Sequence, residues 1–117
     1  IEGYAGVNEV VVENNVIHGA IYLNNVLSYA INNNDLSNGD AAINISNTTT
    51  ISGDITNNRL HNSTGYQVIY VSGNGTATNP VIIANNAIYQ IVGDDFSAII
   101  IYGEHIHVLH NSIEISN

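Results

Sequence analysis

The sequence predicts an all-β chain wound as a parallel β-helix of about five rungs, and three observations carry that expectation. A phrase of the form apolar-x-Asn-Asn-x-apolar returns five times. The second asparagine of each phrase falls at Asn15, Asn34, Asn58, Asn86 or Asn111, a spacing of 19, 24, 28 and 25 residues, within the range that marks solenoids. Ile and Val number 30 against 5 Leu, with 20 Asn among the 117 residues; branched residues favour strands and asparagine favours tight turns.

The phrases are V-E-N-N-V-I at 12–17, I-N-N-N-D-L at 31–36, I-T-N-N-R-L at 55–60, I-A-N-N-A-I at 83–88 and V-L-H-N-S-I at 108–113. Three residues before the second asparagine stand Val12, Ile31, Ile55, Ile83 and Val108. Two residues after it stand Ile17, Leu36, Leu60, Ile88 and Ile113. Both columns are apolar and the positions between them are mixed, the period-two signal of short half-buried strands. A second family of strands lies between the phrases, each after a glycine that is expected to make the turn: 19–23, 39–45, 65–71 and 93–101. Its inward pairs are Ile21 and Leu23, Ile43 and Ile45, Ile69 and Val71, and Ile99 and Ile101; Tyr22, Asn44, Tyr70 and Ile100 face outward. Length variation concentrates between this strand and the next, with 73–80 the longest insertion.

No single rung can bury its apolar side, but stacked rungs share one core and pair their strands. Sharp corners inside such a stack leave backbone groups without sheet partners, which is costly. An asparagine carries donor and acceptor and tolerates left-handed backbone. Asn15, Asn34, Asn58, Asn86 and Asn111 are therefore expected to form an internal ladder, a structural feature rather than an active site.

Ten acidic residues face one cation, Arg59, for a net charge of −9. Nucleic acid and anionic membranes both call for a basic surface, so neither is an expected partner. No apolar run approaches the ~20 residues that would span a bilayer as a helix. With no Cys, disulfides and thiol catalysis are excluded. The chain opens on Ile1, not Met, and is expected to be a processed product or an excised segment.

The phrases and intervening strands together resemble the right-handed parallel β-helix repeat proteins of the pectate-lyase-like superfamily, across essentially the whole chain. The resemblance implies a right-handed coil. It implies no single activity, because that superfamily includes lyases, glycosidases, tailspikes, adhesins and surface-layer proteins.

Within it, V-G-D-D-F-S-A-I at 92–99 looks like the polygalacturonase stretch whose Gly-Asp-Asp supplies two catalytic aspartates. On that resemblance Asp94 and Asp95 would serve as general acid and base on a glycosidic bond. Asp40 opens the equivalent strand two rungs earlier, roughly 9.6 Å away at ~4.8 Å per strand step. The family's Asn-Thr-Asp is replaced by the stretch from Thr64 to Gln67, and its Gly-His-Gly and Arg-Ile-Lys motifs are missing. A Gly-Asp turn before a strand accounts for the same residues, so no catalytic residue is assigned.

His105 and His107 flank the inward Ile106 and, on one strand, would point outward together, but zinc wants three or four ligands and no third is evident. His18 and His61 share another column two rungs apart. No metal or cofactor is assigned, although calcium would suit the carboxylates of Asp94, Asp95 or Asp40. Tyr22 and Tyr70 form an outward column that could stack on sugar rings.

The expected function is a non-catalytic extracellular or cell-surface module, a spacer, adhesive element or self-stacking filament block, with possible contact to polysaccharide. The alternative is a fragment of a carbohydrate-active enzyme, a glycosidase or lyase. The expected partners are neighbouring β-helix rungs, from the same longer chain or from identical subunits stacked end to end.

Overall fold

The computed structural model describes residues 1–39, 41–46, 52–91 and 97–115. Asp40, Asp94 and Asp95 lie outside them. Fifteen short strands follow one another with no helix among the described residues. The first rung holds β1 (Glu2–Gly3), β2 (Glu9–Glu13) and β3 (Val16–His18). The second holds β4 (Ile21–Asn24), β5 (Ser28–Asn32) and β6 (Asp35–Ser37), and the third β7 (Ile43–Ser46), β8 (Ser52–Thr56) and β9 (Arg59–His61). The fourth holds β10 (Gln67–Ser72), β11 (Val81–Ala84) and β12 (Ala87–Ile91), and the fifth β13 (Ser97–Tyr102), β14 (Ile106–Leu109) and β15 (Ser112–Ile115).

Each of the first twelve strands pairs in parallel with the strand three places on, giving three five-stranded sheets, one per side of the coil. We call them the first (β1-β4-β7-β10-β13), second (β2-β5-β8-β11-β14) and third (β3-β6-β9-β12-β15) sheets. This is a parallel β-helix of five rungs. The register aligns like with like: Ile21 pairs with Ile43 and Ile69 with Ile99, while Ile31 pairs with Ile55 and Ile83 with Val108.

The core is the stack of inward columns. Ile21, Ile31, Leu36, Ile43, Ile45, Ile55, Leu60, Ile69 and Ile83 are fully buried, each worth about 1.5–3 kcal/mol of transfer free energy. Burial fades at the fifth rung, where Ile99, Ile101 and Ile106 are only partly covered and Val108 and Ile113 are 44% and 47% exposed.

The asparagine columns divide between two residues the tasks that the sequence predicts for one. The first member of each pair takes the left-handed backbone: Asn14, Asn33, Asn57 and Asn85 have φ of 59°, 55°, 58° and 57°, and His110 has 53°. The second member supplies the hydrogen bonds. The Oδ1 of Asn58 accepts from the backbone N–H and the Nδ2 of Asn34, both at 3.0 Å. The Nδ2 of Asn58 donates to the Ile31 carbonyl at 2.8 Å and to Asn86 Oδ1 at 3.0 Å. Asn86 repeats this with Ile55 and Asn111, and Asn15 donates to Asn34 in the same way. Asn34, Asn58 and Asn86 are buried.

A second left-handed position follows five residues after the first, at Gly19, Asn38, Asn62 and Gln90. The sequence assigns this turn to glycine. Among the described residues only Gly19 fits, and asparagine or glutamine bends the chain on the later rungs. Gly53 is glycine for a different reason. A Cβ there would lie 2.3 Å from Cζ of Tyr29, its cross-rung partner, whose ring occupies the core space above it. The Tyr29 hydroxyl is buried without a hydrogen-bond partner among the described residues. Burial first, and then the negative charge of Asp54, raise its pKa far above the usual phenol value.

Two outcomes follow from this packing. Asn58→Ala orphans the buried backbone N–H of Asn34 and takes a side-chain donor from the Ile31 carbonyl and from Asn86 Oδ1, and should cost about 1–3 kcal/mol, read as a lowered urea midpoint. The same change at the half-buried Asn111 should cost less; equal losses would contradict the account. Because Tyr29 stays neutral in the fold, its contribution is complete below the unfolded phenol pKa of about 10. That contribution is lost as pH rises from there toward the raised folded value. Tyr29→Phe should therefore leave the midpoint at neutral pH unchanged or higher and flatten its alkaline decline.

Candidate functional sites on the outer faces

Side chains at alternate positions of the first-sheet strands turn away from the core, and the parallel register stacks them into columns along the coil. One runs Glu2, Tyr22, Asn44, Tyr70 and Ile100. The next runs Asn24, Ser46, Ser72 and Tyr102. Tyr4 and Tyr66 join this face from the ends of its strands. A cleft of about 340 Å³ is lined by Glu2, Tyr4, Tyr22, Asn24, Asn44 and Ser46 among others. A second, of about 410 Å³, adjoins it through Tyr22 and Asn44 and adds Thr64, Tyr66 and Gln67. At the far end the rings of Tyr70 and Tyr102 lie 5.9 Å apart at a tilt of 53°.

Five of the seven tyrosines of the chain thus gather on one side. Tyr66, Tyr102 and Tyr4 are 80%, 63% and 61% exposed, a large solvent-facing aromatic area. The Tyr4 hydroxyl donates to Glu2 Oε2 at 2.5 Å, and that carboxylate raises the phenol pKa. Of the five, only Tyr22 and Tyr70 stand out from strand alternation alone.

The third sheet carries a different chemistry. Arg59 Nη1 donates to Asp35 Oδ2 at 3.0 Å, and Nη2 donates to the Tyr89 hydroxyl at 2.6 Å. His61 Nε2 meets Asp35 Oδ1 at 2.6 Å, and its ring stacks on Tyr89 at 5.2 Å. The Tyr89 contact first, and then Asp35, hold the Arg59 pKa above its usual value. One rung away His18 Nδ1 lies 2.9 Å from Ser37 Oγ. These residues bring a serine, two histidines and a carboxylate close together without making a relay. A relay needs one histidine between hydroxyl and carboxylate; here Ser37 touches His18 and Asp35 touches His61. His18 and His61 share one column two rungs apart, as the sequence predicts, with Ser37 between them; nothing in the sequence analysis singles out Asp35, Ser37 or Tyr89.

Of the metal candidates, His107 stands outward on β14 as expected, but His105 does not share that strand. It precedes β14 in a left-handed corner with φ of 54°, and its carbonyl accepts the Val81 N–H at 3.0 Å. A corner residue cannot continue strand alternation, so the expected side-by-side pair is corrected. Among the described residues no three His, Asp or Glu side chains are grouped to hold a metal ion. Asp94, Asp95 and Asp40 fall in sequence just before β13 and β7, outside the described residues.

In comparison with known proteins, the chain matches no family model, and neither a curated protein nor a solved structure is significantly similar to it.

Proposed function

We propose that the chain is a non-catalytic structural module of an extracellular or cell-surface β-helix, a stiff rod whose tyrosine-bearing side contacts polysaccharide. The observation that carries this reading is the collection of Tyr4, Tyr22, Tyr66, Tyr70 and Tyr102 on the outer face of the first sheet, beside two clefts lined by amides and hydroxyls. Flat rings with polar neighbours suit the apolar faces and hydroxyl edges of sugars. The repeated apolar-x-Asn-Asn-x-apolar phrases support placing the coil with the right-handed pectate-lyase-like β-helices. The alternative, a polysaccharide-cleaving enzyme, would have to draw on Asp40, Asp94 and Asp95. A panel of soluble polysaccharides separates the two. Retarded migration in affinity gels without release of reducing ends is expected, and Tyr22→Ala with Tyr70→Ala should abolish the retardation. Release of reducing ends that Asp94→Asn stops would establish the enzyme instead.

The asparagine column favours further β-helix rungs as partners. Asn15, Asn34, Asn58 and Asn86 each donate a backbone N–H to the Oδ1 of the asparagine one rung on. The same polarity directs the Asn111 N–H toward a sixth asparagine, beside the exposed Val108 and Ile113. At the other end, Asn15 Oδ1 is oriented to accept. A rung from further along the polypeptide or from another copy fits this surface, with open head-to-tail geometry. In sedimentation the 117-residue chain should associate with rising concentration, and Ile113→Lys should prevent it. A concentration-independent monomer would overturn the stacking.

A further inference from the structure

We infer that the tyrosine side takes an uncharged glycan, laid along the coil axis, and rejects polyuronates; this rests on the carbohydrate-contacting reading above. The direction comes from register. Tyr22 and Tyr70 occupy one column two rungs apart, roughly 9.6 Å at ~4.8 Å per rung, with Asn44 between them. Tyr102 extends the aromatic end through its contact with Tyr70. A sugar chain lying along this column would meet a ring, then an amide, then a ring. Asn24, Ser46 and Ser72 flank it within reach of the hydroxyl edges. A chain lying across the column would meet only one rung's outward residues.

The charge preference comes from where the cation sits. Carboxylate sugars are gripped by arginine or lysine, most strongly in bidentate pairs. The only such residue, Arg59, is on the third sheet and is already committed to Asp35 and Tyr89. On the tyrosine side, Glu2 stands in the same column as Tyr22 and lines the cleft beside it. A polyuronate would bring further carboxylates against Glu2 and against a chain of net charge −9, with no basic side chain to offset them. Hydroxyl-bearing sugars face no such repulsion, and their donors and acceptors match serine, asparagine and glutamine.

Calorimetry at low salt with cellohexaose and with hexagalacturonate tests the inference. Cellohexaose should bind and Tyr70→Ala should weaken it by about tenfold, with an unchanged denaturation midpoint showing that the fold is intact. Hexagalacturonate should give no heat. If hexagalacturonate binds as well as the neutral hexamer or better, and Tyr70→Ala reduces that binding, the charge preference is overturned and the carbohydrate-contacting reading survives. If neither binds, and a panel of other neutral oligosaccharides also fails, both are overturned.

Discussion

The amide of the second asparagine in each pair is the interaction on which the rest of the coil depends. A chain that turns sharply between sheets must interrupt its ladders, and each interruption leaves N–H and C=O groups facing a dry interior. The side chain of Asn58 meets this need in both directions. Its oxygen takes the N–H of Asn34 below, while its nitrogen reaches the Ile31 carbonyl and the Asn86 oxygen. The corner thereby behaves as one more strand of the stack, built from side chains in place of backbone. It also fixes register. Because Asn34, Asn58 and Asn86 must stand directly over one another, Ile31, Ile55 and Ile83 do too, and a slip of one residue would turn every inward isoleucine to solvent. Length can then vary only where no such column passes, as between β10 and β11, where residues 73–80 intervene.

That constraint explains what could be read from the sequence. The fold was legible because columns on either side of the asparagine pair repeat apolar residues with no exception, from Val12 and Ile17 to Val108 and Ile113. The division of labour within the pair is legible too, in one residue. At the fifth rung the pair becomes His110-Asn111. The position that accepts histidine is the left-handed one, a conformation open to both residue types. The position that never changes needs an amide. The second corner was read less well, because glycine is the residue most associated with positive φ, and asparagine at 38 and 62 does the same work.

The candidate sites were legible only in part, for a geometric reason. Tyr22 and Tyr70 lie within strands, where alternation alone assigns them outward. Tyr4, Tyr66 and Tyr102 lie at strand ends, and placing them requires the pairing of one rung on the next. The contacts among Asp35, Arg59, His61 and Tyr89 join residues 24 to 30 apart in sequence, apart from those inside one strand. Nothing local marks them. Stacking the five asparagine phrases would have found them, since Asp35 and Arg59 share one column after the asparagine, and His61 and Tyr89 another.

A solenoid with a dry, repetitive interior has little freedom inside, so differences accumulate on its sides. The second sheet carries a polar row in which Asn32 bonds Glu13 and Thr56. The third gathers the one arginine with its carboxylate and aromatic partners. The first is aromatic and carries no basic side chain. These placements are linked, because a chain with a single cation has one place to put it. Arg59 on the third sheet shields Asp35 there, and by the same choice leaves the tyrosine side without a counter-charge. On the proposed reading, what that side accepts is therefore set partly by a residue that never touches it.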